Sequence, residues 1–455
     1  MDMTFSDYMA ISMLVAFVFL IFTGFPVAFI LAGLAILYTA VSIALQDWTH
    51  LLDDTFYVLD WGFTSSVVER NWAVMESWVL VALPMFIFMG LFLEKSGVAR
   101  DLMVNLSSLL GRVHGGLAVS VAVIGILLAA STGIIGASVV LLTLMGLPAM
   151  LEAGYNKAYA AGVICAVGTL GILVPPSIML VLMADRLAVS VGDLFLGAML
   201  PGLMLGLIYV VYLLVVARLR PELAPNRVDA APLDIGLVLQ TLLAMAPPLL
   251  LILAVLGSIF FGIATPTEAS GVGAICTVLL TVLNGRFNWQ VLRGASVETM
   301  RTIGFIFGIM FGATAFALVF RGLGGDDLIR HMMTGSDWSA THVVLVILLL
   351  TFVLGFFLDW LEITLILLPL IGPSLVGLGV DLVWFGILFA MMLQTSFITP
   401  PVGPAIFFAQ GVAPPGVRLT DFYYGIAPYV VLQLLALAVV FLFPQLATWL
   451  PSVAY

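Results

Sequence analysis

The sequence predicts an all-α, polytopic membrane protein built of two inverted repeats. Each repeat has a re-entrant helical hairpin and a helix broken at a Pro-Pro pair. Three observations carry this. The 455 residues are 63% hydrophobic and only 9% charged, with a mean hydropathy of +1.23, whereas a soluble domain carries about 25% charged residues. Apolar runs of about 18 residues or more recur from end to end, each long enough to cross a bilayer. Finally, a Pro-Pro pair returns at one fixed offset, in the same context, in both halves.

The apolar runs fall near 8–45, 78–93, 117–150, 157–184, 194–217, 237–260, 267–284, 303–320, 342–377, 382–410 and 423–449. Met1 to Asp7 holds no Lys or Arg and no small-residue cleavage pattern follows the first run, so that run is expected to stay as a span rather than leave as a signal peptide. Runs 117–150 and 342–377 are too long for one span, with Ser131-Thr132-Gly133 and Asp359-Trp360 at their middles. Each is either two spans or a re-entrant hairpin. With both as hairpins and the other nine runs as single crossings from an inside N-terminus, one face receives 11 of the 15 basic residues. The other face receives Arg70, Arg186, Arg321 and Arg330, with the acidic segment 46–77 and the C-terminus. Basic residues concentrate on the cytoplasmic side, so the N-terminus is expected inside and the C-terminus in the periplasm. Arg186 and Arg321, at span ends, are expected to snorkel.

The repeat is visible on sliding the chain against itself by 225 residues: Gly154 meets Gly379, Pro175 meets Pro400 and Pro176 meets Pro401. Upstream, Leu147-Pro148 meets Leu368-Pro369 at an offset of 221. By the charge count the first hairpin opens to the cytoplasm and the second to the outside, and inverted repeats of this kind mark secondary transporters.

Two prolines in succession remove amide donors and clash with the preceding turn, so they stop a helix. In hydrocarbon, each freed carbonyl costs several kcal/mol unless water in a cavity or a bound cation satisfies it. Gly168-Thr169-Leu170-Gly171 precedes the first pair and Thr395-Ser396-Phe397-Ile398-Thr399 the second. Both segments offer carbonyls and hydroxyls, hard ligands suited to Na+. The half-helices from Pro176-Ser177 and Pro401-Val402 point free amides and a positive dipole end inward, where a carboxylate is attracted. Asp359 and Glu362 sit at the second hairpin tip, where a charge is costly and often functional. Glu268, in Thr265-Pro266-Thr267-Glu268, reads as a helix-start acid.

Other classes are excluded. No phosphate-binding loop is present, so no nucleotide is expected, and no metalloprotease or nucleophile-elbow pattern suggests an enzyme. A net charge of −10 gives no footprint for nucleic acid. Cys165 and Cys276 lie inside apolar runs and read as small buried hydrophobes.

The stretch Gly168 to Ser177, with Pro175-Pro176, resembles the large permease subunit of tripartite ATP-independent periplasmic (TRAP) transporters. Thr399-Pro400-Pro401-Val402-Gly403 resembles its second-half partner, and Pro84-Met85-Phe86, Ala264 to Ala269, and Phe357 to Asp359 also match. The resemblance implies an elevator-type fold of the ion-transporter superfamily, in which a transport domain slides against a scaffold. It implies Na+ coupling, a periplasmic substrate-binding protein, a separate small membrane subunit, and residence in a bacterial inner membrane. In the family, ions bind between each hairpin tip and the adjacent break. Here those positions are Ser131, Thr132, Gly133, Gly168, Thr169 and Gly171, then Asp359, Thr395, Ser396 and Thr399. Many members have a Ser-rich first tip. Thr132-Gly133-Ile134-Ile135 departs from it, so backbone carbonyls are expected to carry more of the first site.

The expected function is a Na+-coupled importer of a small organic anion, a carboxylate or an oxo or hydroxy acid, contacted by Ser138, Pro176, Ser177, Glu362, Pro401 and Gly403. A stand-alone carboxylate transporter, a non-transporting subunit and an intramembrane enzyme are the alternatives. The expected organisation is 1–77 scaffold, 78–193 first transport core, 194–284 scaffold and linker, 285–410 second transport core and 411–455 a C-terminal span.

Overall fold

Capping residues set where the helices begin. Gly154 and Gly379 turn the chain at φ +82° and +71°, a region open to glycine. Two residues further on, Asn156 accepts from the amides of Ala158 (2.9 Å) and Tyr159 (3.2 Å), opening the helix Lys157–Gly168. Asp381 accepts from Trp384 N (2.9 Å) at the matching place in the second half and opens Leu382–Ile398. Thr265 and Glu268 cap each other at the start of Pro266–Leu283, so Glu268 is the helix-start acid expected of it.

The computed structural model describes residues 4–49, 59–132, 135–226, 234–334 and 338–454. Among these residues there is no β-strand. Eight helices are long and apolar enough to cross a membrane, and a ninth if Trp61–Met75 and Val79–Lys95, bent by 60°, count as one. The protein is therefore an all-helical, multi-pass membrane protein. Part of the acidic segment 46–77, residues 50–58, lies outside the described residues.

Four features differ from the sequence reading or add to it. Run 8–45, taken as one crossing, is two helices, Phe5–Ile21 and Val27–Thr49, parted at Gly24 (φ +79°) and Pro26. Segment 285–301, taken as a loop, belongs largely to the 34-residue helix Trp289–Gly322. Its polar residues made the helix look like a connection. A third Pro-Pro pair, Pro247-Pro248, lies inside the uninterrupted helix Ile235–Phe260, so a proline pair alone does not stop a membrane helix. Arg186 and Arg321, expected to snorkel at span ends, are also held by partners that the sequence did not reveal. Arg186 pairs with Asp185, while Arg321 donates to Pro369 O (3.0 Å) and pairs with Asp326 (3.1 Å).

Two packed groups of helices result. In the outer group, Trp289–Gly322 lies so close to Val27–Thr49 that a Cβ on Gly312 would sit 2.5 Å from Ala28 O. Pro266–Leu283 packs on Ala82–Lys95, with Gly273 against Met89. The inner group holds the hairpins and broken helices. The first hairpin pairs Gly116–Thr132 with Ile135–Glu152. Gly125 faces Leu142 and Gly146 faces Val121, so the two arms run antiparallel. The second comprises Ala340–Leu354 and Trp360–Gly377. The half-helices after the breaks, Ile178–Leu187 and Pro404–Val412, pack crosswise. The first lies on Trp360–Gly377 and the second on Ile135–Glu152, each against the other half's hairpin. Val191–Leu219 and Leu419–Leu442 also pack on the broken helices, and Gly162 and Gly425 have no room for side chains between the backbones.

Candidate functional site

Each break is an interruption of hydrogen bonding that local side chains only partly repair. In the first, Lys157–Gly168 tightens into a 3₁₀ turn over Thr169–Ile172 before Pro175-Pro176, and the helix resumes at Ile178. The carbonyls of Gly171 and Ile172 would receive the amides of residues 175 and 176, which prolines lack. The Ser177 hydroxyl donates to Ile172 O at 2.8 Å, and Thr169 Oγ1 donates to Ala166 O at 2.8 Å. Residues 171–184 are buried without exception. In the second, Leu382–Ile398 ends at Thr399, and the chain restarts at Pro404 after Gly403 at φ +40°. Thr395 and Ser396 are fully buried and donate to Met391 O and Leu393 O, both at 2.8 Å. Thr399 Oγ1 donates to Thr395 O at 2.6 Å, and Tyr423 donates to Pro401 O at 2.9 Å. Both Pro-Pro bonds are cis.

These hydroxyls spend their protons on backbone carbonyls and keep oxygen lone pairs, and the Gly171 and Phe397 carbonyls face residues without an amide. The set consists of hard, uncharged oxygens, which fits an alkali cation better than a soft metal. Among the described residues, no three His, Cys, Asp or Glu side chains converge to hold a metal.

The second hairpin tip reaches the second break, and the second arm of the first hairpin packs on the first break. Gly355 lies against Ser396 so tightly that a Cβ would overlap its hydroxyl. A Cβ on Gly168 would clash with Val139, just beyond the first tip. Gly133 lies outside the described residues, as do the side chains of Ser131 and Thr132. Asp359 has a structural role. It caps Trp360–Gly377 by accepting from Trp360 N (2.8 Å), and Glu362 reaches back to Asp359 N (3.1 Å), which completes a capping box.

One cavity of about 160 Å³ collects these parts. Its walls are Ile135 and Gly136 from the first hairpin, Ile178 from the first half-helix and Asp359, Trp360 and Leu361 from the second tip. Phe397 and Phe408 flank the second break, and Thr302, Phe305 and Ile306 come from the long helix of the outer group. Of the expected residues, Asp359 borders this space. Ser138 and Ser177 are fully buried, Glu362 is nearly so, and none of the three borders the cavity. Nor do Pro176, Pro401 and Gly403. Thr302 was missed because it stood at the edge of a presumed loop. Trp360 and Phe408 were missed because a membrane aromatic carries no mark of function in sequence alone.

Residues 14–446 match the family model described as tripartite ATP-independent periplasmic transporter, DctM component. The C4-dicarboxylate TRAP transporter large permease protein DctM of Pseudomonas aeruginosa is 31% identical over 396 residues, covering 85% of this chain and 89% of that one. The isethionate TRAP transporter permease protein DctMQ of Oleidesulfovibrio alaskensis is 30% identical over 429 residues, covering 93% of this chain and 63% of that longer protein. The crystal structure of the YdaH transporter of Alcanivorax borkumensis superposes with a TM-score of 0.64 at 16% identity, over 93% of this chain and 98% of that one. That last likeness speaks for the fold alone.

Proposed function

Because the chain belongs to the DctM component family of tripartite ATP-independent periplasmic transporters, and is thus a membrane transport subunit and not an enzyme, we propose that it carries a small organic anion across a bacterial inner membrane on a Na+ gradient. The anion is a carboxylate or an oxo or hydroxy acid, delivered by a periplasmic binding protein, and a separate small membrane subunit completes the transporter. The observation that carries the reading is the cavity in which a half-helix, both hairpins and the second break meet a helix of the outer group. Hydroxyl and carbonyl oxygens at the two breaks supply the coupling ions' ligands: Gly168, Thr169 and Gly171 with the first tip, and Thr395, Ser396, Thr399 and Asp359 at the second. Free amides at the starts of the half-helices favour an anion beside them.

The crosswise packing of the half-helices supports two inverted repeats that move as one body. Val191–Leu219 and Leu419–Leu442 go with that body, since they pack on the broken helices. The outer group, with Val27–Thr49, Ala82–Lys95, Pro266–Leu283 and Trp289–Gly322, is the frame against which it slides. The split of run 8–45 adds a helix ahead of Val27; if it crosses, the N-terminus moves to the periplasmic face and the sides of all later elements are unchanged.

Reconstitution tests the proposal. Uptake of a labelled carboxylate into proteoliposomes is expected only with the binding protein, the small subunit and an inward Na+ gradient together. Uptake by this chain alone overturns the tripartite reading, and equal uptake with K+ in place of Na+ overturns the coupling.

A further inference from the structure

A second cavity, of about 480 Å³, lies at the far end of Val191–Leu219, between that helix, the start of Lys157–Gly168 and Leu419–Leu442. Its polar wall is Asn156, Tyr159, Tyr212, Arg220, Tyr424 and Tyr429. We propose that this cavity binds the phosphate headgroup of an anionic phospholipid, with an acyl chain lying along the Val191–Leu219 helix.

The ordinary reading of tyrosines here is an interfacial aromatic belt. Tyr424, 79% exposed, fits that reading, but Tyr429 does not. Tyr429 is 1% exposed, borders the cavity, and its hydroxyl has no hydrogen-bond partner. Behind it, the buried Tyr209 hydroxyl and Gln433 side chain lie within reach of each other, which leaves the Tyr429 hydroxyl as the unpartnered group in the cavity wall. Native proteins rarely leave such a group unsatisfied, and at a cavity wall it asks for a polar occupant. Tyr159 is already spoken for, donating to Leu213 O at 3.1 Å, and the Asn156 oxygen caps its own helix.

The charge at the mouth selects the sign of that occupant. Arg220 is exposed, and among the described residues no carboxylate pairs with it. A guanidinium matches a phosphate's oxygens as a fork. The apolar side selects a lipid over a free anion. Leu207, Val211, Val215 and Leu219 follow one another at four-residue spacing and are 64%, 49%, 48% and 75% exposed. They form a ridge about 18 Å long that ends at the cavity, where Val216 and Leu219 form part of the wall. A headgroup on Arg220 and Tyr429 places its tail on that ridge.

The test uses the full chain purified in detergent and native mass spectrometry with dioleoyl phosphatidylglycerol, and phosphatidylcholine as the control. Wild type is expected to retain phosphatidylglycerol preferentially. Arg220→Gln is expected to lower that retention at least fivefold, and Tyr429→Phe two- to threefold, with phosphatidylcholine unchanged. Arg220 is at the surface and Phe keeps the ring packing of Tyr429, so both variants should melt as wild type does in lipid-free detergent. Wild-type retention in both variants overturns the site. Displacement of phosphatidylglycerol by millimolar inorganic phosphate overturns the lipid assignment in favour of a free anion.

Discussion

At Gly355 the chain has room for a hydrogen and nothing larger. A methyl there would meet the Ser396 hydroxyl, which donates to Leu393 O at 2.8 Å. Overpacking a close contact costs about 1–3 kcal/mol, and here it also pushes the second tip away from the oxygens proposed to hold the ion. Gly355→Ala is therefore expected to abolish uptake while lowering the melting temperature only moderately; full uptake would show that tip and break need not touch. Thr399 acts differently, because its hydroxyl holds Thr395 O at 2.6 Å while its own oxygen stays available. Thr399→Ala should weaken half-activation by Na+ about tenfold, equivalent to about 1.4 kcal/mol, and Thr399→Ser should restore it. Titrating uptake against Na+ decides, and an unchanged titration in a folded Thr399→Ala variant removes the second ion site as assigned.

Among the elements, the second hairpin arm shows how one motif carries two readings. Asp359-Trp360-Leu361-Glu362 has the spacing of a capping box and was read for its charge, yet the structure uses both side chains to start the helix. Substitution separates the roles. Asp359→Asn keeps a capping oxygen, whereas Asp359→Ala loses it at a cost of about 1 kcal/mol. If the charge also serves transport, Asn should melt like wild type and still lose Na+ dependence; if capping is the whole role, Asn should be active and Ala impaired. The broken helices were legible because proline acts through the backbone, and their Gly-x-Asx entrances repeat at the same 225-residue offset as the prolines. The break at Gly24-Phe25-Pro26 carried turn residues too, but strong hydropathy on both sides hid it. Pro247-Pro248 shows the limit of the proline argument. What distinguishes the true breaks is a Gly- or Thr-rich approach and a facing hairpin, and the second of these is a long-range contact. The Arg321 bond to Pro369 O spans 48 residues and was out of reach for the same reason.

At the scale of the whole molecule, the proposed sliding makes a testable distinction between two cross-links. In a Cys165→Ala, Cys276→Ala background, joining Ala28→Cys to Gly308→Cys, where a Cβ on Gly308 would lie 4.0 Å from that of Ala28, within the range a disulfide spans, ties two helices of the same frame and should leave uptake intact. Joining Ile306→Cys to Trp360→Cys ties the frame to the second tip across the cavity and should stop uptake until the bond is reduced. Persistent uptake across the second link would mean that the bodies do not move past each other. The crosswise packing has a further consequence, in time rather than space. The buried face of Ile178–Leu187 is completed by Trp360–Gly377, which the ribosome makes about 180 residues later, some 10–40 s at typical rates of synthesis. For that interval the nascent first half sits in the membrane with its central surface uncovered, so insertion chaperones and quality-control proteases meet it before its own second half does.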